Sequence, residues 1–278
     1  MTAPGFEQTQ EVFLDAHVSN DASIDRKGKR VQVGGATVDS VTFAEAIQLI
    51  GQRLRSNAPP AYAVTPNAQH VVMLHSDPKL KAIYDEATFV LADGMSLLVA
   101  ARLLGHRLPE RVTGVDLFQA LCSESAELGF RIFLLGGLPG AAKKAAEVLK
   151  ARNAAVNIVG TYCPPLGFEN DPVETQRTLE QVRASQPDLL FVGLGVPKQE
   201  YWIHKNYRSL DVRLSIGVGG SFDMVAGITP RAPKWLQNAG LEWLFRLSAE
   251  PRRLWKRYLI GNLRFLEIVG RQWLSAEK

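Results

Sequence analysis

Several short clusters in this sequence are polar or rich in glycine. They are Thr65-Pro66-Asn67, Asp93-Gly94, Gly136-Gly137, the run from Gly193 through Gly195 to Gln199, and the run from Gly217 through Gly219 to Asp223. Glycines let backbone N–H groups approach a phosphate, and the N-terminus of a following helix favours its charge. One such cluster is usually no more than a tight turn; several in one domain point to a nucleotide pocket. The familiar nucleotide fingerprints do not fit. Gly193-Leu194-Gly195 lacks the third glycine of a dinucleotide loop, and no G-x-x-x-x-G-K-[ST] loop occurs.

Among these residues Asp93 has the position of a general base. It follows the apolar run Phe89 to Ala92, so a buried strand would deliver it to a cleft, where a carboxylate can take a proton from an attacking hydroxyl. The same place suits a cap for a helix starting after Gly94. Arg111 carries the fork that binds phosphate oxygens in pairs, or else is a surface charge beside Glu110. Thr65 and Asn67 can hydrogen-bond a ligand beyond the strand end, and Asn67 can equally cap a helix. Gln199 and Asp223 can read a base or ribose, or simply hold their loops. His70 and His75 lie on an expected helix without metal-ligand partners in sequence and are read as structural.

The elements that would position these groups alternate regularly. Val31 to Val38 reads as a hairpin about Gly34-Gly35, and Thr42-Phe43-Ala44-Glu45 is a capping box that opens a helix to about Arg55. Ala61 to Thr65 and Phe89 to Ala92 are short apolar strands, with Asn67 and Asp77-Pro78 opening helices between them. Strands then follow at Phe130–Leu135, Val156–Tyr162, Leu189–Val192 and Arg213–Ile216, separated by helices at Ala141–Arg152, from Asp171-Pro172 to about Ser185, and after Pro197. Near-continuous apolar strands alternating with helices predict an α/β fold, a Rossmann-like parallel sheet covered on both faces. In such a sheet, ligands bind beyond the carboxyl ends of the strands, where all five clusters fall.

Composition is compatible with this. With 278 residues, 46% hydrophobic, the chain can bury a substantial core. Cys122 and Cys163 are too few for a disulfide framework, so a reduced, cytoplasmic setting is expected. The polar first thirty residues read as a flexible lead-in, and no run of about eighteen uncharged apolar residues predicts a membrane span. The net charge of +4 is uneven: residues 228–278 hold ten Lys/Arg, four Asp/Glu and four of the five tryptophans. The expected organisation is a lead-in over 1–30, a catalytic domain over 31–227, and a basic, amphipathic helical appendage over 228–278.

Within that appendage, Arg252 to Trp273 has the periodicity of one long helix. Leu254, Trp255, Tyr258, Leu259, Phe265, Leu266, Val269 and Trp273 share a broad face, with Arg253, Arg257, Arg264 and Arg271 opposite. Such a helix can lie in a bilayer interface with its cations on anionic headgroups, or dock its apolar face on its own domain. Arg252, Arg253, Arg257 and Arg264 are candidates for membrane or leaving-group contact.

The ordered set Thr65-Pro66-Asn67, Ala92-Asp93-Gly94, Glu110 to Gly114, Phe133 to Gly137, Gly193 to Glu200, Gly217 to Asp223 and Arg231-Ala232-Pro233 closely resembles the WecG/TagA/CpsF glycosyltransferases, from about Val31 to Leu266. Ala92 departs from the proline that many relatives carry before Asp-Gly, a matter of turn shape. The resemblance implies a UDP-activated donor, commonly of the N-acetylmannosamine type, and a polyprenyl-diphosphate-linked sugar acceptor. It also implies inversion at the anomeric centre, without a metal or other cofactor, in the synthesis of cell-surface polysaccharides such as teichoic acid linkage units. It makes Asp93 the expected base. No Asp-x-Asp pair occurs to hold a divalent metal, so Arg111 and tail arginines are expected to neutralise the leaving diphosphate. Partners are then the donor, the acceptor and an anionic membrane surface at its inner face, with a homo-oligomer left open. Competing readings are a nucleotide-dependent oxidoreductase and a non-catalytic membrane adaptor. A nucleic-acid binder fits poorly, since the basic residues gather on a helix rich in Trp and Leu.

Overall fold

The structure is a computed structural model that describes residues 30–249 and 251–276, without the side chains of Asn238, Arg253, Arg257 and Ala276. All of the expected lead-in except Arg30 therefore lies outside the described residues. The chain opens with β1 (Arg30–Val33) and β2 (Ala36–Asp39), paired antiparallel. Their turn needs two consecutive left-handed residues, and Gly34 and Gly35 supply them at φ 56° and 80°. The next helix, α1 (Phe43–Arg55), starts at the expected capping box: Glu45 N–H donates to Thr42 Oγ1, and Thr42 N–H to Glu45 Oε2.

Alternation then sets in with β3 (Ala61–Val64), α2 (Ala68–Ser76), α3 (Pro78–Glu86), β4 (Phe89–Val90), α4 (Met95–Leu103) and α5 (Gly114–Leu128). It continues through β5 (Ile132–Gly136), α6 (Ala141–Arg152), β6 (Ile158–Tyr162), α7 (Pro172–Ser185), β7 (Leu189–Gly193), α8 (Lys198–Asn206), β8 (Leu214–Gly217) and α9 (Ser221–Val225). Three helices end the chain: α10 (Lys234–Asn238), α11 (Glu242–Ala249) and α12 (Pro251–Ala276). Asn67 caps α2 by accepting from Gln69 N–H at 3.0 Å, and Asp77 caps α3 ahead of Pro78.

Six strands form one parallel sheet in the order β4-β3-β8-β7-β5-β6. Successive strand residues point to opposite faces, which divides the core in two. Tyr62, Val64, Val90, Phe133, Leu135, Leu190 and Val192 pack with α2, α3, α4, α7 and α8. Ala61, Ala63, Phe89, Leu91, Ile132, Leu134, Phe191 and Ile216 pack with α1, α5, α6 and α9. Because every strand runs the same way, the loops after β3, β4, β5, β7 and β8 open on one edge, and the five clusters meet there.

The broad apolar face expected on the last helix is divided in two. Leu254, Phe265 and Val269 are buried; Phe265 and Val269 join the core beside α2. A Cβ at Gly261 would lie 2.6 Å from Gln69 Oε1, so this glycine permits the close approach of α12 to α2. Gln272 ties the far end to the hairpin, accepting from Gly34 N–H at 2.7 Å and donating to Gln32 O at 3.1 Å. A second stripe of Trp255, Leu259, Leu263, Leu266, Trp273 and Leu274 stays exposed. Among the described residues no helix is long and apolar enough to cross a membrane.

Candidate active site

Asp93 stands where β4 ends. Its own N–H donates to Pro66 O at 2.8 Å, tying the β4 exit to the β3 exit. Its Oδ2 accepts from Gly114 N–H, the first residue of α5, at 3.4 Å. A Cβ at Gly114 would lie 3.5 Å from Val218 Cα and 3.6 Å from Thr65 Oγ1, and one at Gly94 would lie 3.8 Å from Asn67 Cβ. Thr65, Asn67, Gly94, Gly114 and the β8 exit therefore converge around one carboxylate. Asp93 is half-buried. Burial, followed by the nearby charge of Glu242, pushes its carboxyl up to about 7; the Gly114 N–H, Arg111 and Arg246 pull the other way. Asp93 does not cap α4: Gly94 stands at the N-cap of that helix, and no side chain caps it.

The glycine-rich half of the cleft lies beside it. Gly137 N–H donates to Gly193 O at 2.8 Å, and Leu138 N–H to Asp223 Oδ1 at 2.9 Å. Gly136 and Gly193 fit only without side chains: a Cβ on Gly136 would lie 2.7 Å from Gly193 O, and one on Gly193 2.8 Å from Gly219 O. Gly195 and Gly219 are left-handed, at φ 75° and 54°, with open space where a Cβ would point. This is the geometry of a backbone surface open to a ligand. Gln199 lies behind that surface. It is 4% exposed, its Oε1 accepts from Gly219 N–H at 2.9 Å, and its Nε2 donates to Glu200 Oε1 at 2.9 Å. Both ends of its amide are thus engaged inside the protein.

The sequence from residue 31 to residue 278 matches the family described as "Glycosyl transferase WecG/TagA/CpsF family". The chain belongs to the WecG/TagA/CpsF glycosyltransferase family. It is 32% identical over 200 residues to an N-acetylglucosaminyldiphosphoundecaprenol N-acetyl-beta-D-mannosaminyltransferase of Bacillus spizizenii, an overlap of 72% of this chain and 75% of that protein. It is 36% identical over 180 residues to a protein of the same name from Bacillus subtilis, covering 64% of this chain and 66% of that one.

In this glycosyltransferase the segment after β8 folds back across the cleft, which no local pattern announces. Arg231 donates both ends of its fork to Asp116, at 2.8 and 2.7 Å, and so fastens the segment to the first turn of α5. Burial alone would raise Asp116; the Arg231 fork and the Thr113 hydroxyl outweigh it and hold the carboxyl below its ordinary range. Gln237 of α10 and Glu242 of α11 then reach Arg111, with Oε1 3.5 Å and Oε2 3.3 Å from its guanidinium nitrogens. Arg246 stands close enough to lower Asp93, and its Nε is buried without a partner.

Of the expected tail arginines, Arg252 is exposed at the start of α12, and the side chains of Arg253 and Arg257 lie outside the described residues. Arg264 lines a groove of about 630 Å³ with Gln32, His75 and Arg271. That groove is at the end of α2 opposite Asn67, so the fold does not bring Arg264 to Asp93; a helix of nine residues separates them. Arg246, Glu242 and Gln237 were missed by sequence reasoning, and Arg231 was noticed only as a family marker. His70 Nδ1 accepts from Asn67 N–H at 2.8 Å, and His75 Nε2 contacts Gly34 O at 3.1 Å. Among the described residues no group of three or more His, Cys, Asp and Glu is placed to hold a metal ion.

Proposed function

We propose that this glycosyltransferase moves an N-acetylmannosamine-type sugar from a UDP donor to a polyprenyl-diphosphate-linked sugar, with inversion at the anomeric carbon. The observation that carries the reading is the Asp93 carboxylate at the β4 exit, held among Thr65, Asn67 and the Gly114 N–H, with Arg111, Arg246 and Glu242 near enough to act on it and burial raising it to about 7. The acceptor hydroxyl oxygen bonds to the anomeric carbon, the bond from that carbon to the diphosphate oxygen breaks, and Asp93 takes the hydroxyl proton. A base with a pKa near the working pH is both free to act and strong enough to help. The departing UDP gains negative charge, which Arg111 and Arg246 stabilise through charge-assisted hydrogen bonds. Thr65 and Asn67 line the sugar side of the cleft, while Gly136, Gly137, Gly195, Gly219 and Asp223 shape the nucleotide side. The names of the two Bacillus relatives support this choice of donor sugar and acceptor.

A lipid-borne acceptor brings the reaction to a membrane surface, and the outer stripe of α12 gives the enzyme a means of staying there. Exposed Trp255, Leu259, Leu266 and Trp273 would enter the interface, with neighbouring cations on anionic headgroups at the inner face of the cell membrane. A panel of UDP-sugars offered with one polyprenyl-diphosphate-linked N-acetylglucosamine acceptor tests the reading. The expected product comes from the N-acetylmannosamine donor, with the β linkage that inversion of an α donor gives. Failure to transfer from any UDP-sugar, or retention of the donor's configuration, would overturn it.

A further inference from the structure

The Gln199 amide is held in one orientation by its neighbour. Glu200, on the first turn of α8, is 2% exposed, and its Oε1 accepts from Gln199 Nε2 at 2.9 Å. At the other end, Gln199 Oε1 accepts from Gly219 N–H at 2.9 Å. Rotating the amide by half a turn would point an NH2 at the Gly219 N–H and a carbonyl oxygen at the Glu200 carboxyl oxygen. The Gly219 contact would then fail outright and the Glu200 contact would survive only with the carboxyl protonated on that oxygen, and an unmade buried hydrogen bond is costly. The amide packs on the bare backbone of Gly217, where a Cβ would lie 2.8 Å from Gln199 Nε2.

We propose that Glu200 is a positioning residue for donor binding: by fixing the Gln199 amide it holds the Gly217–Gly220 loop in the shape that receives the nucleoside diphosphate. The inference rests on the nucleotide-sugar reading above. The loop is at the centre of the cleft. Thr65 Oγ1 donates to Gly217 O at 3.2 Å on the Asp93 side, and Gly219 O closes on Gly193 on the glycine-rich side. Gly219 keeps its left-handed φ of 54° with its open side free of protein atoms, so its backbone faces the ligand while its N–H is held from behind. The remaining carboxyl oxygen, Oε2, is buried without a hydrogen-bond partner and stands near the equally buried Tyr84 hydroxyl. Burial pushes Glu200 up to about 7, so a neutral side chain of the same shape suits this place.

The test is UDP binding by titration calorimetry on the full chain, with donor KM and kcat from the transfer assay. Removing the acceptor in Glu200→Ala frees the amide and should weaken UDP binding and raise donor KM roughly tenfold, the worth of one well-placed hydrogen bond, with kcat changed less than about threefold. Glu200→Gln keeps a carbonyl oxygen for Gln199 Nε2 and should recover most of the affinity. Gln199→Met, which keeps the bulk and loses the amide, should reproduce the Ala effect, and adding Glu200→Ala to it should cost nothing more, because the two act through one contact. If Glu200→Ala does not fold, the Gln199→Met and Glu200→Gln proteins still decide the question through the same titration. UDP affinity unchanged in Gln199→Met, Glu200→Gln as weak as Gln199→Met, or fully additive losses would overturn the proposal. Failure of the unmodified chain to bind UDP would instead sink the nucleotide-sugar reading.

Discussion

Replacing Asp93 by asparagine should remove activity and add stability, and the two effects have one cause. An exposed aspartate ionises near 3.9; in the fold, burial and then Glu242 push Asp93 up to about 7. Between these values the unfolded chain has released the proton and the folded chain still holds it. Stability therefore falls as pH rises from about 4 to about 7, and above that the cost is complete. The ceiling is roughly 4 kcal/mol at 1.36 kcal/mol per pKa unit. Water at the cleft mouth reduces it, and a gain of about 1–2 kcal/mol for Asp93→Asn at pH 8 is expected. The amide oxygen can still accept from Gly114 N–H, so no contact is lost. Glu200, pushed up to about 7 by its own burial, is present in both proteins and cancels. Urea unfolding of the two proteins at pH 8 and pH 5 measures the difference, which should shrink at the lower pH. Transfer should fall by about 10²- to 10⁴-fold, the usual contribution of a general base, while UDP affinity stays within a few-fold. An asparagine protein no more stable than wild type at pH 8, or one with near-normal turnover, would refute the reasoning.

Glu242 raises Asp93, so Glu242→Gln should move the acidic limb of the kcat/KM profile to lower pH, whereas Arg111→Ala should move it up and slow transfer. Releasing the Arg231 fork in Asp116→Asn should loosen the segment over the cleft, read as faster proteolysis after Gly227 and reduced transfer. On α12 the two stripes should separate cleanly. Phe265→Ala should cost about 3–5 kcal/mol of unfolding free energy as a core truncation, whereas serine at Trp255, Leu259 and Leu266 should leave the melting temperature within a few degrees and reduce sedimentation with anionic vesicles. Activity should survive EDTA, since the sequence has no Asp-x-Asp pair and the arginines of the cleft supply the positive charge; recovery of lost activity by Mg²⁺ or Mn²⁺ would contradict this.

Local chemistry made much of this enzyme legible before folding. Thr42 and Glu45 each accept from the other's backbone N–H, Asn67 and Asp77 were followed by helix formers, and the apolar runs were too short for helices and too continuous for half-exposed strands. A parallel sheet puts every strand's carboxyl end on one edge, so the residue types at those ends already marked the edge where the clusters meet; position alone left Asp93 open between base and helix cap, and the family resemblance made it the expected base. What covers the cleft was not legible. Arg231, Gln237, Glu242 and Arg246 approach Arg111 and Asp93 across more than a hundred residues, and long-range pairing leaves no local period. Gln199 shows the same limit. Its type suits reading a ligand, and only the packing of Gly217 and Glu200 around it turned the amide inward. On α12 the period, at about 100° per residue, correctly assembled the apolar residues into a helix. Periodicity states which residues share a side, however, and not what lies against it. The tertiary structure gave Leu254, Phe265 and Val269 to the core and left Trp255, Leu259, Leu266 and Trp273 to the outside, because α2 is wide enough to cover only one stripe of a helix.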